Sequence, residues 1–148
     1  MSKKEKLKRL YEKIELDSTD DRILLSKVKK GNASKDEIDE LLDIIKETQN
    51  GGKILDEIKD FEKNIVKEIN DHINILEEMV DEYFDVAHIE DETEKKLIYT
   101  DMKSRFKKHV TKAEEIIDAM KIAYFQIDNF VKYENQLYDV REKLSYFE

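Results

Sequence analysis

Residues 53–88 read KILDEIKDFEKNIVKEINDHINILEEMVDEYFDVAH, and this stretch decides the fold. Ile54, Ile58, Phe61, Ile65, Ile69, Leu76, Met79, Val80 and Tyr83 recur at three- and four-residue steps, with His72 in the same stripe. At 100° per residue these positions share one broad face, the pattern of an amphipathic helix. The stretch opens a run of 96 residues, Lys53 to Glu148, that contains neither glycine nor proline. Most architectures other than long helices need those breakers.

A second helix follows a turn at His88-Ile89-Glu90-Asp91-Glu92, with Asp91 to Glu94 as a capping signal. Its stripe is Ile98, Met102, Phe106, His109, Ala113, Ile116, Met120, Ala123, Tyr124, Ile127 and Val131, and the spacing predicts one helix over residues 93–146. A helix of about 50 residues would be on the order of 75 Å long, which leaves room for a break near Asp128-Asn129. Folding the two helices about residues 90–91 makes them antiparallel and pairs positions whose numbers sum to about 181. Tyr83 then meets Ile98, Met79 meets Met102, Phe61 meets Met120, and His72 meets His109. Stripe meets stripe in every layer.

Charge points to the same register. From Glu77 to Glu92 there are eight acidic residues and no basic one, and the predicted neighbours include Lys95, Lys96, Lys103, Arg105, Lys107, Lys108 and Lys112. Such pairs contribute little individually but reject wrong alignments. Beyond about residue 128 the second helix has no partner in the first. There its apolar residues Phe130, Tyr133, Leu137, Val140 and Leu144 spread to the opposite side, and seven of the thirteen aromatics lie in the last 25 residues. A helix apolar all round is buried all round.

Upstream of the stretch, three short helices are expected over residues 1–50. The first carries Leu7, Leu10, Tyr11 and Ile14 on one face. The second, from about Thr19 to Lys30, is capped by Asp17 to Asp20, turns Ile23, Leu24 and Val28 inward, and ends at Gly31. The third opens on the capping box Ser34-Lys35-Asp36-Glu37 and buries Ile38, Leu41, Leu42 and Ile45. Asn50-Gly51-Gly52 is the flexible joint before the long pair. The expected fold is therefore all-α: a single domain, with a long antiparallel, coiled-coil-like hairpin and three shorter N-terminal helices packed on its C-terminal end. The hairpin tip, residues 80–100, is expected to protrude as a two-helix arm.

Composition bounds function. Charged residues make up 43% of the 148, with a net charge of −9. Together with helical periodicity this indicates long helices rather than disorder. The acidity disfavours direct binding to nucleic acid or an anionic membrane. The absence of cysteine excludes disulfides, thiolate catalysis and thiolate metal sites. No signal peptide or membrane-spanning run is apparent, so a cytoplasmic location is expected.

Residues 53–92 carry fourteen acids against four bases. The acidic face Glu77, Glu78, Asp81, Glu82 and Asp85 is a candidate partner surface. So are the off-stripe apolar residues Ile73, Ile75, Phe84, Val86 and Ile117, which a two-helix arm would leave half covered for a partner or a second copy. His72 and His109 are metal-ligand candidates, with Glu68 nearby; the competing reading is a buried polar layer that specifies register. Asp85-Val-Ala-His88 stands alone and builds no di-iron centre. The second and third helices imitate a helix-turn-helix, but four acids in the first six residues of the reading helix oppose a DNA backbone. No catalytic set, phosphate loop or cofactor motif stands out.

The expectation is a non-enzymatic protein-binding adaptor or regulator, without cofactor, that self-associates as a homodimer. The alternative is an acidic inhibitor, of the type phages and mobile elements carry, that mimics nucleic acid and blocks a nucleic-acid-binding host protein.

Overall fold

Each short helix begins or ends where the sequence supplies a local device. The computed structural model describes residues 2–123 and 130–148. α1 is Lys3–Glu12, α2 Thr19–Lys29 and α3 Lys35–Lys46. Ser2 caps α1 by accepting from the Glu5 N–H. Gly31 has φ +75°, and the Gly31 and Asn32 N–H groups donate to the Val28 and Lys27 carbonyls, a Schellman closure of α2. Ser34 and Glu37 form the reciprocal capping box of α3. Ser18 starts α2 without a side-chain bond; the entry is held instead by Arg22, whose Nε donates to the Leu16 carbonyl at 2.7 Å. Ile23, expected inward, is 53% exposed, and Leu25 with Val28 forms the buried face of α2. Leu25 follows Ile23 by two residues, which on a helix places it on a different side.

α4 spans Gly51–Val86 and α5 spans Glu92–Met120. They pack antiparallel in the expected register: Tyr83 stacks on Tyr99 with ring centroids 5.6 Å apart, and His72 meets His109. Asp91 caps α5, accepting from Thr93 and Glu94. At the other end, the expected flexible joint is a packed turn. Asn50 is left-handed at φ +65°, and α4 begins at Gly51, earlier than the apolar stripe indicates. A Cβ on Gly51 would lie 1.8 Å from the Ile45 carbonyl oxygen, so glycine is required by proximity.

The second hairpin helix does not run to residue 146. α5 ends at Met120, Lys121 caps it, and α6 (Phe130–Lys143) returns along the hairpin, followed by a short 3₁₀ turn over Ser145–Phe147. The Asp128-Asn129 position lies outside the described residues, as do Tyr124, Phe125 and Ile127. Lys121 pairs with Glu134, Arg141 with Glu114, and Phe147 contacts Phe106, so α6 is antiparallel to α5. An aromatic, all-round apolar segment finds cover by doubling back on the hairpin. No glycine or proline marks that return.

Two cores result. The arm core joins α4, α5 and α6, with Ile65, Ile69, Leu76, Met79, Met102, Phe106, Ile116, Leu137, Val140, Leu144 and Phe147 buried together. The base core joins α1–α3 to the first turns of α4 and to Ile122 and Ala123 after α5. Phe61 packs against both. α1 lies antiparallel to α4, through Lys3–Glu68 and Lys13–Glu57, and parallel to α5, with the Tyr11 hydroxyl donating to the Ile122 carbonyl. The three N-terminal helices thus sit at the open end of the hairpin as expected, while the arm is three helices thick rather than two. Among the described residues, no helix is long and apolar enough to cross a membrane.

Candidate functional site on the helical arm

Burial in the arm core corrects one set of candidate residues. Ile73, Val86 and Ile117 are buried at 2%, 5% and 4% exposure in the arm core, so they cannot contact a partner without unfolding. Ile75 is half-buried and Phe84 is exposed at 57%, edge-on to Tyr83. Sequence spacing set these five apart from the main stripes; it could not show that three of them are buried in the arm core.

The acidic candidates remain on the surface. Glu77, Glu78, Asp81 and Asp85 are exposed and, among the described residues, make no ion pair. Glu82 is the exception: Arg105 Nη2 donates to it at 2.9 Å across the seam, while Arg105 Nε binds Asp101 at 2.9 Å. Among the described residues, the charges expected to meet across the hairpin therefore do so at one place. The reason is angular: the acids lie on the back of α4 and most of the lysines on the back of α5, so each set faces water.

The opposite rim is basic. From Thr93 to Lys112 there are seven bases and two acids, in a chain that is acidic overall. Beside the 3₁₀ turn, α5 and Tyr83 of α4 border an open cleft of about 730 Å³. Its floor is Tyr83, Tyr99, Tyr146 and Phe147, and its rim is Lys95, Lys96 and Lys103, with Glu92 as the single acid. Lys95 Nζ sits 5.9 Å over the Tyr99 ring and 3.5 Å from the Ala87 carbonyl. Burial, then the neighbouring Tyr83, Tyr146 and Glu92, pushes the Tyr99 hydroxyl above its ordinary pKa. A second cleft, between α5 and α6, differs in kind. It is acidic, lined by Glu114, Asp118, Glu134, Glu142 and Glu148, and its two cations are already paired: Arg141 with Glu114 and Glu148, and Lys121 with Asp118 and Glu134.

The histidine pair lies deeper on the seam, just beyond the start of α1. Both rings are half-buried, with Nδ1 to Nδ1 at 2.9 Å and ring centroids 5.1 Å apart. The centroid spacing is about that of two imidazoles meeting nitrogen to nitrogen, the geometry of an N–H···N hydrogen bond. One nitrogen donates and the other accepts, so there is room for a single proton between them. Burial holds His72 below the ordinary histidine value, opposed by Glu68 and Asp71 and assisted by Lys112 and Lys108. Burial also lowers His109, assisted by His72, Lys108 and Arg105. Glu68, the suggested third ligand, pairs with Lys3 at 3.2 Å. Among the described residues no group of three or more His, Cys, Asp or Glu is placed to hold a metal ion. Asp85 and His88 are both exposed near the tip.

Comparison with known proteins finds no protein-family model, no curated protein and no solved structure that matches this chain.

Proposed function

We propose that this protein is a non-enzymatic adaptor or regulator that binds other proteins, its own second copy among them, through the surface of its arm. One observation carries the reading: the arm has an acidic edge on α4 and a basic, aromatic-floored edge on α5, and only Glu82–Arg105 neutralises one with the other among the described residues. Charged rims around an exposed aromatic centre suit specific, salt-sensitive association. The only close histidine pair turns its Nδ1 atoms on one another, which favours a structural role over acid–base chemistry. Size-exclusion chromatography with light scattering from low to high micromolar concentration tests self-association. A dimer that weakens in high salt is the expected outcome; a strict monomer throughout rejects that part of the reading.

The acidic edge favours a second reading, an inhibitor that mimics nucleic acid. Its five acids, Glu77, Glu78, Asp81, Glu82 and Asp85, span about two helical turns, and four have no internal partner among the described residues. Such an inhibitor would capture from host extract proteins that duplex DNA then competes off. Capture indifferent to both DNA and salt would reject it.

A further inference from the structure

The open cleft and the acidic edge of this arm have matching chemistry. The cleft offers an aromatic floor, Tyr83, Tyr99 and Tyr146, under the three lysines Lys95, Lys96 and Lys103. Lys96 and Lys103 make no ion pair among the described residues. Tyr146 is itself 63% exposed, which is unusual for a side chain in contact with three other rings. The α4 edge offers the reverse: Glu77, Asp81 and Asp85 at four-residue spacing, with the exposed Phe84 beside them. Tyr83 of the floor and Phe84 of the edge are consecutive residues. Each copy therefore presents both halves side by side, as a two-fold contact between identical surfaces requires.

We propose that the occupant of the cleft is the acidic edge of a second copy of this chain: Phe84 enters the aromatic floor, and Glu77, Asp81 and Asp85 meet Lys95, Lys96 and Lys103. The inference rests on the self-association proposed above and assigns its surfaces. An aromatic anchor in a pocket ringed by complementary charge is the usual form of a binding hot spot. The α5–α6 cleft is a poor rival for an acidic occupant because five acids line it and its two cations, Lys121 and Arg141, are already paired. The acids also explain why the occupant is not a nucleic acid: Glu92 sits on the lysine rim, and an acidic edge adjoins it.

A charge-swap experiment tests the assignment. One variant reverses the cleft rim (Lys95→Glu, Lys96→Glu, Lys103→Glu). The other reverses the edge (Glu77→Lys, Asp81→Lys, Asp85→Lys). Each alone is expected to be monomeric by light scattering at concentrations where the wild type is dimeric, with its helical circular dichroism retained. Mixed in equal amounts, they are expected to associate, because the native edge of one meets the native cleft of the other. Phe84→Ala, a single exposed side chain that leaves the core untouched, is expected to weaken the dimer about tenfold or more. Reversing the exposed Lys107 and Lys108, outside the cleft, is expected to leave the dimer unchanged. A wild-type dimer indifferent to Phe84→Ala and to both charge variants overturns the assignment and leaves self-association standing. Failure of the mixture to associate also overturns the assignment, and a monomeric wild type overturns both proposals.

Discussion

The base and the arm of this molecule bury similar side chains by different routes. In the base, short helices are delimited by local devices: the Gly31 closure, the Ser34–Glu37 box, and the left-handed Asn50 ahead of Gly51. In the arm, α4 and α5 are long, and their cover comes from α6 and the 3₁₀ turn behind it, whose Phe147 packs on Phe106 and Tyr83 from far along the chain. Local stops and starts are short-range chemistry. The return of a helix onto a preformed pair is a long-range packing event, and it leaves a surface wherever the returning helix ends. That is where the open cleft lies.

The sharpest way to break this comparison is at the point where the return helix locks on. Phe147 is fully buried against Tyr83, Tyr99, Phe106 and Tyr146. Phe147→Ala is expected to destabilise the fold by about 3–5 kcal/mol in urea unfolding. A loss below about 1 kcal/mol would mean that the arm stands as two helices, since a Phe side chain that packs on nothing costs little to truncate.

Gly51 tests the base in the same experiment. A methyl group there meets the Ile45 carbonyl at 1.8 Å and the Thr48 hydroxyl at 2.4 Å, so Gly51→Ala is expected to cost about 1–3 kcal/mol, while Gly52→Ala, with open space around it, should be neutral or stabilising. Equal effects at the two positions would show that α3 and α4 do not approach closely.

The histidine pair sharpens the account of the arm through pH. Both imidazoles are held below the ordinary value, so the unfolded chain binds more protons than the folded one at mildly acidic pH. Stability from the pair is complete above about pH 6.5 and is lost as the pH falls through the depressed folded values. The urea midpoint is expected to drift down from pH 7 to pH 5, and replacing both rings (His72→Phe with His109→Phe) should flatten the part of that slope due to the pair. An unchanged slope in the double variant would place the rings apart. The smallest effect belongs to Glu82→Gln, which removes the Glu82–Arg105 pair across the seam and is expected to cost about 0–1 kcal/mol, diminishing in high salt.

Much of this was legible in the sequence because it follows from periodicity. The 3.6-residue stripe of α4 and the charged turn at Glu90-Asp91 are enough to place His72 opposite His109. The same reasoning failed for Ile73, Val86 and Ile117: periodicity reports which side of a helix is apolar, not which distant segment will cover it. It also carried α5 past Met120, because Lys121, Ile122 and Ala123 are all compatible with a helix. The aromatic residues of the last stretch signalled burial but not its address. The cleft was missed for a related reason. The register pairs Tyr83 with Ile98, the neighbour of Tyr99, but Tyr146 and Phe147 join these rings only after α6 has doubled back.

By itself, the sequence determined the all-helical class, the antiparallel register, the Gly31 closure of α2, the Ser34–Glu37 box of α3 and the split between an acidic α4 and a basic α5. All of these depend on neighbours within a few residues or on a repeat that can be counted. The tertiary structure alone decided that α6 returns to make a third layer, that the charged edges face water instead of each other, and that four aromatic rings converge beneath three lysines. Those features depend on which surfaces remain uncovered once the hairpin has formed. Burial of apolar area is non-directional, so composition states how much must be covered and only packing states by what.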